Sequence, residues 1–184
     1  MSELRTNRIV PRDGLTSGAS GGIIQIKYAI KNDTQSITSQ GYSDTPTDVS
    51  GLSVSITPTR SDSKILVEVH LNFSGDNNMY GQVRLVRDPG DQTVGGSTAV
   101  SGNQRIGTFG VSTPLGANGQ YKMYSAECKI LDSPASTSAL TYKLQVASTN
   151  TGGNYFYLNR PSNNDNQQYI IGGSSTITVM EVSA

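Results

Sequence analysis

The feature that most constrains the fold of this chain is a two-residue alternation of apolar and polar side chains after residue 22. Between residues 65 and 73, for example, Ile, Val, Val, Leu and Phe alternate with Leu, Glu, His and Asn. A period of two indicates a β-strand with one face in a core and the other in water. The same alternation occurs in segments 24–30, 52–57, 124–130 and 140–146. No segment shows the spacing of an amphipathic helix, so we expect an all-β protein.

Residues that favour turns separate these predicted strands. They include Pro58 and the runs Gly75-Asp76-Asn77-Asn78, Asp88-Pro89-Gly90-Asp91 and Asn150-Thr151-Gly152-Gly153. About eight to ten strands joined by such loops predict a two-sheet sandwich, either a jelly roll or an immunoglobulin-like fold. The jelly roll is favoured because both ends of the domain look like strands and the loops vary widely in length.

Two segments, 155–158 and 177–182, are apolar on both faces of the predicted strand. A strand that is buried on both faces needs a second covering layer. In a sandwich without helices that layer is most simply another subunit, although a long loop could serve instead. The residues predicted to form an oligomer interface are Tyr155, Phe156, Tyr157, Leu158, Ile177, Val179 and Met180.

Charge is scarce and balanced in this sequence. Lys and Arg together number 14, as do Asp and Glu, and 15% of residues are charged, against about a quarter in soluble domains generally. This balance gives no reason to expect a nucleic-acid partner. No apolar run is long enough to insert into a membrane, and the first residues lack the apolar stretch of a secretory signal. We therefore expect synthesis in the cytoplasm.

Catalytic side chains are few. His70 is the sole histidine and lies on the polar face of its predicted strand, so we expect a surface role and no enzymatic activity. Glu68, Glu127 and Glu181 alternate with apolar neighbours and are expected in solvent. Cys128 is the sole cysteine, which excludes an intrachain disulfide and predicts a buried, inert thiol. We expect no cofactor.

Clusters of acids and amides mark two loops, at 76–78 and 163–166. Such oxygen-rich clusters could bind a sugar or Ca²⁺, but Asp and Asn also stabilise turns, and the spacing of an EF-hand is absent. The candidate host or glycan loop consists of Asn163, Asn164, Asp165 and Asn166.

The first 22 residues form a separate segment in which a few apolar residues stand between arginines, followed by a Gly- and Ser-rich run. Such a segment buries too little apolar surface to fold alone. We expect an extended docking arm at 1–22 and a β-sandwich domain at 23–184. The residues expected to dock are Leu4, Arg5, Thr6, Asn7, Arg8, Ile9, Val10, Pro11 and Arg12.

The opening SELRTNRIVPRDGL, followed by GGIIQ, resembles the amino terminus of small tail-fibre-like virion proteins of marine bacteriophages, cyanophages especially. The segments GLSVSITP, SKILV and STITVMEV are similar to the body of the same group. The resemblance covers nearly the whole chain except the middle, from about residue 76 to 119.

This resemblance implies a trimeric jelly-roll body of the tumour-necrosis-factor type. It implies a short tail fibre, knob or spike located in the virion, attached to a tail, adaptor or capsid protein through the arm. The body would also face host glycans or receptors. A capsid decoration or head-fibre protein of the same phage type and a lectin-like glycan-binding module are the alternatives.

Overall fold

The computed structural model describes residues 22–38, 46–76, 79–113, 119–148 and 155–183. These residues form strands and a single-turn 3-10 helix, Gly119–Tyr121. The strands are β1 (Ile23–Lys31), β2 (Gln35–Ile37), β3 (Thr47–Ile56), β4 (Lys64–Gly75), β5 (Tyr80–Asp88), β6 (Gln92–Val94), β7 (Phe109–Ser112), β8 (Tyr124–Asp132), β9 (Leu140–Ser148), β10 (Phe156–Leu158) and β11 (Ser175–Val182). The expectation of an all-β chain is confirmed.

The strands pair into two antiparallel sheets. The larger sheet has the order β1-β11-β4-β10-β2, with β8 on the other side of β4. The smaller sheet has the order β3-β9-β5-β6, and β7 also pairs with β5. Without the short strands β2, β6 and β10, the two layers are β1-β11-β4-β8 and β3-β9-β5-β7. This interleaving of early and late strands is a jelly roll, as the sequence predicts.

The core lies between the two sheets, where alternate residues of each long strand face inward. Leu71 of β4, Leu85 of β5 and Leu144 of β9 are all fully buried there. Complete burial of such a side chain contributes about 1.5–3 kcal/mol. The single chain therefore contains a complete hydrophobic core.

A polar cluster joins the sheets at one end of the sandwich. Arg87 Nη1 lies 2.5 Å from Asp132 Oδ2, and the Tyr142 hydroxyl donates to the same oxygen over 2.7 Å. Burial and the neighbouring Asp132 carboxylate together raise the pKa of Tyr142. Because Asp132 belongs to β8 and its two partners to the other sheet, the cluster fixes the β8 end against β5 and β9.

Glu181 corrects a sequence prediction, because it is fully buried and not in solvent. Its carboxylate accepts hydrogen bonds from Gln25 Nε2 at 2.7 Å, from the Thr59 amide at 2.7 Å and from the Thr59 hydroxyl at 2.8 Å. Burial by itself would raise its pKa, but the bonds from Gln25 and Thr59 outweigh this effect, so the pKa is lowered. Glu181 lies inward because it shares a face of β11 with Ile177 and Val179.

Cys128 is a free, half-buried thiol on β8. It packs against the core together with its inward-facing neighbours Ala126 and Ile130. Burial raises its pKa to about 11, which agrees with the expected inert thiol.

Candidate assembly surface

The outer face of the larger sheet carries a row of apolar side chains that crosses four strands. Ile26 of β1 pairs with Met180 of β11, Met180 pairs with Leu66 of β4, and Leu66 pairs with Leu131 of β8. Ile26 is 54% exposed and Leu131 is 57% exposed, and the two central residues are half-buried. We call these four residues the apolar row.

More apolar surface adjoins the row along β1. Ile23 lies opposite Val182 beside the row, and Tyr28 and Ile30 follow on the same face of β1. Ile23, Tyr28 and Ile30 are each at least half exposed. Isolated exposed apolar residues are ordinary but grouped ones are not, so this surface is a candidate site of interaction.

The other half of this face is polar and carries both signs of charge. Lys129 Nζ lies 2.5 Å from Glu68 Oε1, and His70 Nδ1 lies 2.7 Å from Glu127 Oε1. Asn72 donates its amide to Ser174 O and lies 3.1 Å from His70 Nε2. The face therefore combines an apolar region with a polar border, as protein interfaces do. His70 is part of that border, at the surface as predicted.

The predicted oligomer-interface residues divide into two groups. Phe156, Leu158, Ile177 and Val179 are fully buried in the core of the single chain, so they present no surface to a partner. The prediction that these four residues need a second subunit to cover them was wrong, because the opposite sheet of the same chain covers them. Met180, on the outward face of β11, lies at the centre of the apolar row.

A loop of the same chain covers the outer face of β10. The Arg160 guanidinium lies 4.1 Å from the centre of the Tyr157 ring, and Tyr155 stacks on that ring at 5.6 Å. Tyr157 is 9% exposed in consequence. A covering loop is the alternative to a covering subunit that the sequence analysis left open. The interface prediction for Tyr155, Tyr157 and Met180 stays a prediction.

The sequence prediction missed Leu66 and Leu131 as surface residues, and it wrongly placed the apolar face of segment 24–30 in the core, since Ile26, Tyr28 and Ile30 are exposed. The sequence does contain a sign of this surface, since Leu66 occupies a position that the alternation assigns to the polar face of its strand, between Lys64 and Glu68. A large apolar residue in the solvent phase of an alternating strand indicates a contact surface. Only the strand register shows that Leu66 and Leu131 lie side by side.

Residues 1–21 of the docking arm lie outside the described residues, which begin at Gly22. This applies to the nine predicted docking residues, Leu4, Arg5, Thr6, Asn7, Arg8, Ile9, Val10, Pro11 and Arg12. The Gly22 amide donates to Ser183 Oγ over 3.0 Å, and the Ser183 amide donates to Gly22 O over 2.9 Å. The first described residue is thus fixed beside Ile23, at the margin of the apolar surface.

The candidate glycan loop is a turn stabilised by its own side chains. The Asp165 amide donates to Asn163 Oδ1 over 2.9 Å, and the Asn163 amide donates to Gln120 O over 2.9 Å. Asn164, Asp165 and Asn166 are exposed. Within the described residues no three His, Cys, Asp or Glu side chains cluster as metal ligands would. The turn-forming role of this loop accounts for its composition.

None of the described residues belongs to a helix long and apolar enough to cross a bilayer.

Comparison with known proteins gives distant structural likenesses alone. No family model matches the chain, and no curated protein matches it. A chain from the structure of the infectious bursal disease virus Gx strain is 12% identical over 98% of this chain and 42% of its own length, with a TM-score of 0.38. A chain of the infectious bursal disease virus VP2 subviral particle is 10% identical over the same shares, with a TM-score of 0.38. The present chain thus spans about two fifths of the viral chains it matches.

Proposed function

We propose that this chain is a non-enzymatic structural protein of a bacteriophage virion, a short fibre- or knob-like appendage that assembles as a homotrimer. The observation that carries the proposal is the apolar row of Ile26, Met180, Leu66 and Leu131 on an otherwise complete single-chain fold. A domain with its own closed core needs no apolar surface outside that core. The resemblance of the sequence to tail-fibre-like virion proteins supports the same proposal.

Two features favour a second copy of this chain as the partner at the apolar row. Strand β1 is an edge of the larger sheet and exposes Ile26, Tyr28 and Ile30. An edge strand with exposed apolar side chains favours association with another strand or chain. The polar half of the face carries the negative Glu68 beside the positive Lys129. It therefore favours neither an acidic nor a basic partner, and the same face of a second copy is compatible with it.

The oligomer is tested by light scattering of the full-length purified chain and of variants with a charge in the apolar row. Ile26→Asp and Leu131→Asp place a carboxylate where the proposal requires an apolar contact, and both positions are exposed in the single chain. A buried, unpaired charge is heavily penalised, so each variant should dissociate at least about tenfold more readily. Ser53→Asp is the matched control, on the exposed face of the other sheet.

The expected result is a wild-type mass three times that of the single chain, with smaller species for Ile26→Asp and Leu131→Asp and no change for Ser53→Asp. Circular dichroism checks that every variant is folded. A monomeric wild-type chain overturns the proposal. The proposal is also overturned if the arm covers the apolar row. In that case a version beginning at Gly22 would assemble although the full chain does not.

The arm is proposed to attach the trimer to another virion protein. Arg5, Arg8 and Arg12 would make charge-assisted hydrogen bonds to the particle, and Leu4, Ile9 and Val10 would fill shallow pockets. A version beginning at Ile23 should fold and form trimers but be absent from assembled particles. Incorporation at the wild-type level would refute this role of the arm.

The remaining candidate within the same class is a capsid decoration or head-fibre protein. A cryo-electron microscopy map of the particle separates the two, since it places the appendage on the tail or on the head.

A further inference from the structure

The outer face of the smaller sheet, away from the apolar row, contains a cleft of about 580 Å³ below the loop that joins β6 to β7. Its walls include Tyr80, Gln82, Asn103 and Arg105, and Gly110 forms part of its floor. A second cleft of about 540 Å³ adjoins it and shares Gln82, Ser97, Gln104 and Arg105. Both volumes fall within the range of roughly 300–1,000 Å³ usual for ligand sites. Together they form an extended groove and not a single closed pocket.

The strand register builds the floor of this groove. Gln82 of β5 pairs with Gly110 of β7, and Tyr80 pairs with Ser112 at the end of the groove. Gly110 is exposed, and a Cβ placed on it would come no nearer than 3.9 Å to Gly81 O. The missing side chain at Gly110 thus leaves space beside Gln82. Tyr80 presents half of its surface to solvent next to that space.

The loop above the floor is held in place by hydrogen bonds centred on Thr108. The Thr108 amide donates to Val83 O over 2.8 Å, and its hydroxyl donates to Val94 O over 2.9 Å. The same hydroxyl accepts the Leu85 amide over 2.8 Å. Loop and sheet are therefore connected at several points, and a site on a fixed loop loses little entropy when it binds.

The groove is lined by amides, hydroxyls and two guanidiniums, those of Arg84 and Arg105, together with apolar side chains such as Val100 and Phe109. Among the described residues no carboxylate lines either cleft. An amide side chain both donates and accepts hydrogen bonds, which matches a ligand hydroxyl that does the same. Gln82 donates to Ile106 O and its Oε1 is buried, so its amide holds the loop to the sheet, whereas Asn103 is exposed. A tyrosine ring adds a flat apolar face with a polar edge. This combination suits a ligand with many hydroxyls and apolar C–H faces.

We propose that this groove binds an oligosaccharide chain, with Tyr80 as the apolar platform and Asn103 and Arg105 as the polar contacts. The site goes beyond the proposed structural role and differs from the 163–166 loop considered in the sequence. It lies on the sheet opposite the apolar row, so assembly through that row leaves the groove open. A trimer would present three such grooves, and weak single-site binding would be strengthened by multivalency.

The test is binding of the full-length purified chain to an array of bacterial surface oligosaccharides, both neutral and uronic-acid-containing. Gly110→Leu fills the floor of the groove with a side chain that the open space accommodates. Tyr80→Ala removes the platform. Ser53→Leu is the matched control, because it adds the same side chain to the exposed face of the same sheet outside both clefts.

Wild type and Ser53→Leu should bind the same oligosaccharides. Gly110→Leu and Tyr80→Ala should each weaken binding at least about tenfold, the scale of one lost contact of about 1.4 kcal/mol. Wild type that binds no oligosaccharide on the array overturns the inference. Binding that survives Gly110→Leu also overturns it, as does binding lost only when Asn164 is changed to Ala. Light scattering of the same samples measures the oligomeric state separately, so binding weakened by loss of the trimer is distinguished from binding weakened by loss of the groove.

Discussion

Replacement of Glu181 by Gln tests how the buried carboxylate connects three segments of the sandwich. In wild type, Oε1 accepts both bonds from Thr59, and Oε2 accepts the bond from Gln25 Nε2. The introduced glutamine keeps one acceptor for Thr59 but places an NH₂ group opposite the Gln25 NH₂ group. Gln25 cannot turn its amide without losing its 2.7 Å bond to Thr57 O. The substitution therefore breaks one bond and makes two others neutral.

The magnitude follows from the strengths of these bonds. A hydrogen bond to a charged group contributes about 1.5–3 kcal/mol, and a neutral one about 0.5–1.5 kcal/mol. Loss of the Gln25 bond and weakening of the two Thr59 bonds should lower the free energy of unfolding by about 2–4 kcal/mol near neutral pH. Glu127→Gln is the matched control, since Glu127 is 72% exposed and its surface pair with His70 contributes at most about 1 kcal/mol.

The pH dependence has a definite sign. The pKa of Glu181 is lower in the folded state than its usual value of 4.5. Its carboxylate therefore contributes full stability above that usual value, and the contribution is lost as the pH falls through the lower folded-state pKa. The Glu181→Gln variant lacks this titration. The difference in unfolding free energy between wild type and variant should be largest near neutral pH and should shrink in acid.

Urea denaturation followed by far-ultraviolet circular dichroism, at about pH 7 and about pH 3, measures both effects. Protein concentration is held constant, because an oligomer gains stability with concentration. The reasoning is refuted if Glu181→Gln costs no more than Glu127→Gln at neutral pH. It is equally refuted if the gap between wild type and Glu181→Gln stays the same at both pH values.

Two further predictions concern single side chains. Burial raises the pKa of the Cys128 thiol from 9.0 to about 11, and two pKa units leave a hundredth of the thiolate. Cys128 should therefore react with a disulfide reagent on the order of a hundredfold more slowly in the folded chain than in urea. Equal rates would contradict its burial. Gly95→Ala should lower the urea midpoint of unfolding more than Gly51→Ala. Both glycines have positive φ, but a Cβ at Gly95 would lie 2.5 Å from Ile130 Cδ1, whereas a Cβ at Gly51 would meet no described atom within 4 Å. Backbone strain alone accounts for about 1–2 kcal/mol at either position, so equal midpoints would show that the Ile130 contact relaxes without cost.

Local pattern was sufficient for the fold class. Alternation at 65–73 and 140–146 corresponds to β4 and β9, with the expected apolar residues in the core. Turn residues separate strands where Pro58 and Asp88-Pro89-Gly90-Asp91 predict it. These features depend on neighbouring residues alone, since the period of a strand and the geometry of a turn are local.

Where both faces of a segment are apolar, the sequence leaves open which face lies inward. In β11 the inward face carries Ile177, Val179 and Glu181, and the outward face carries Met180. The sequence therefore placed Glu181 in solvent and Ile177 in an interface. The tertiary structure decides both positions, because the opposite sheet covers one face and leaves the other exposed.

By itself the sequence determined that this chain is all-β, since a two-residue period indicates strands, and the number of strands and the loops between them indicated a sandwich. Only the tertiary structure brought Ile26, Leu66, Leu131 and Met180 into one row. Their contacts depend on the pairing register of four strands that lie far apart in the chain, and a shift of one residue would turn each side chain to the opposite face. The same holds for the groove, whose floor and loop are adjacent through the pairing of β5 with β7.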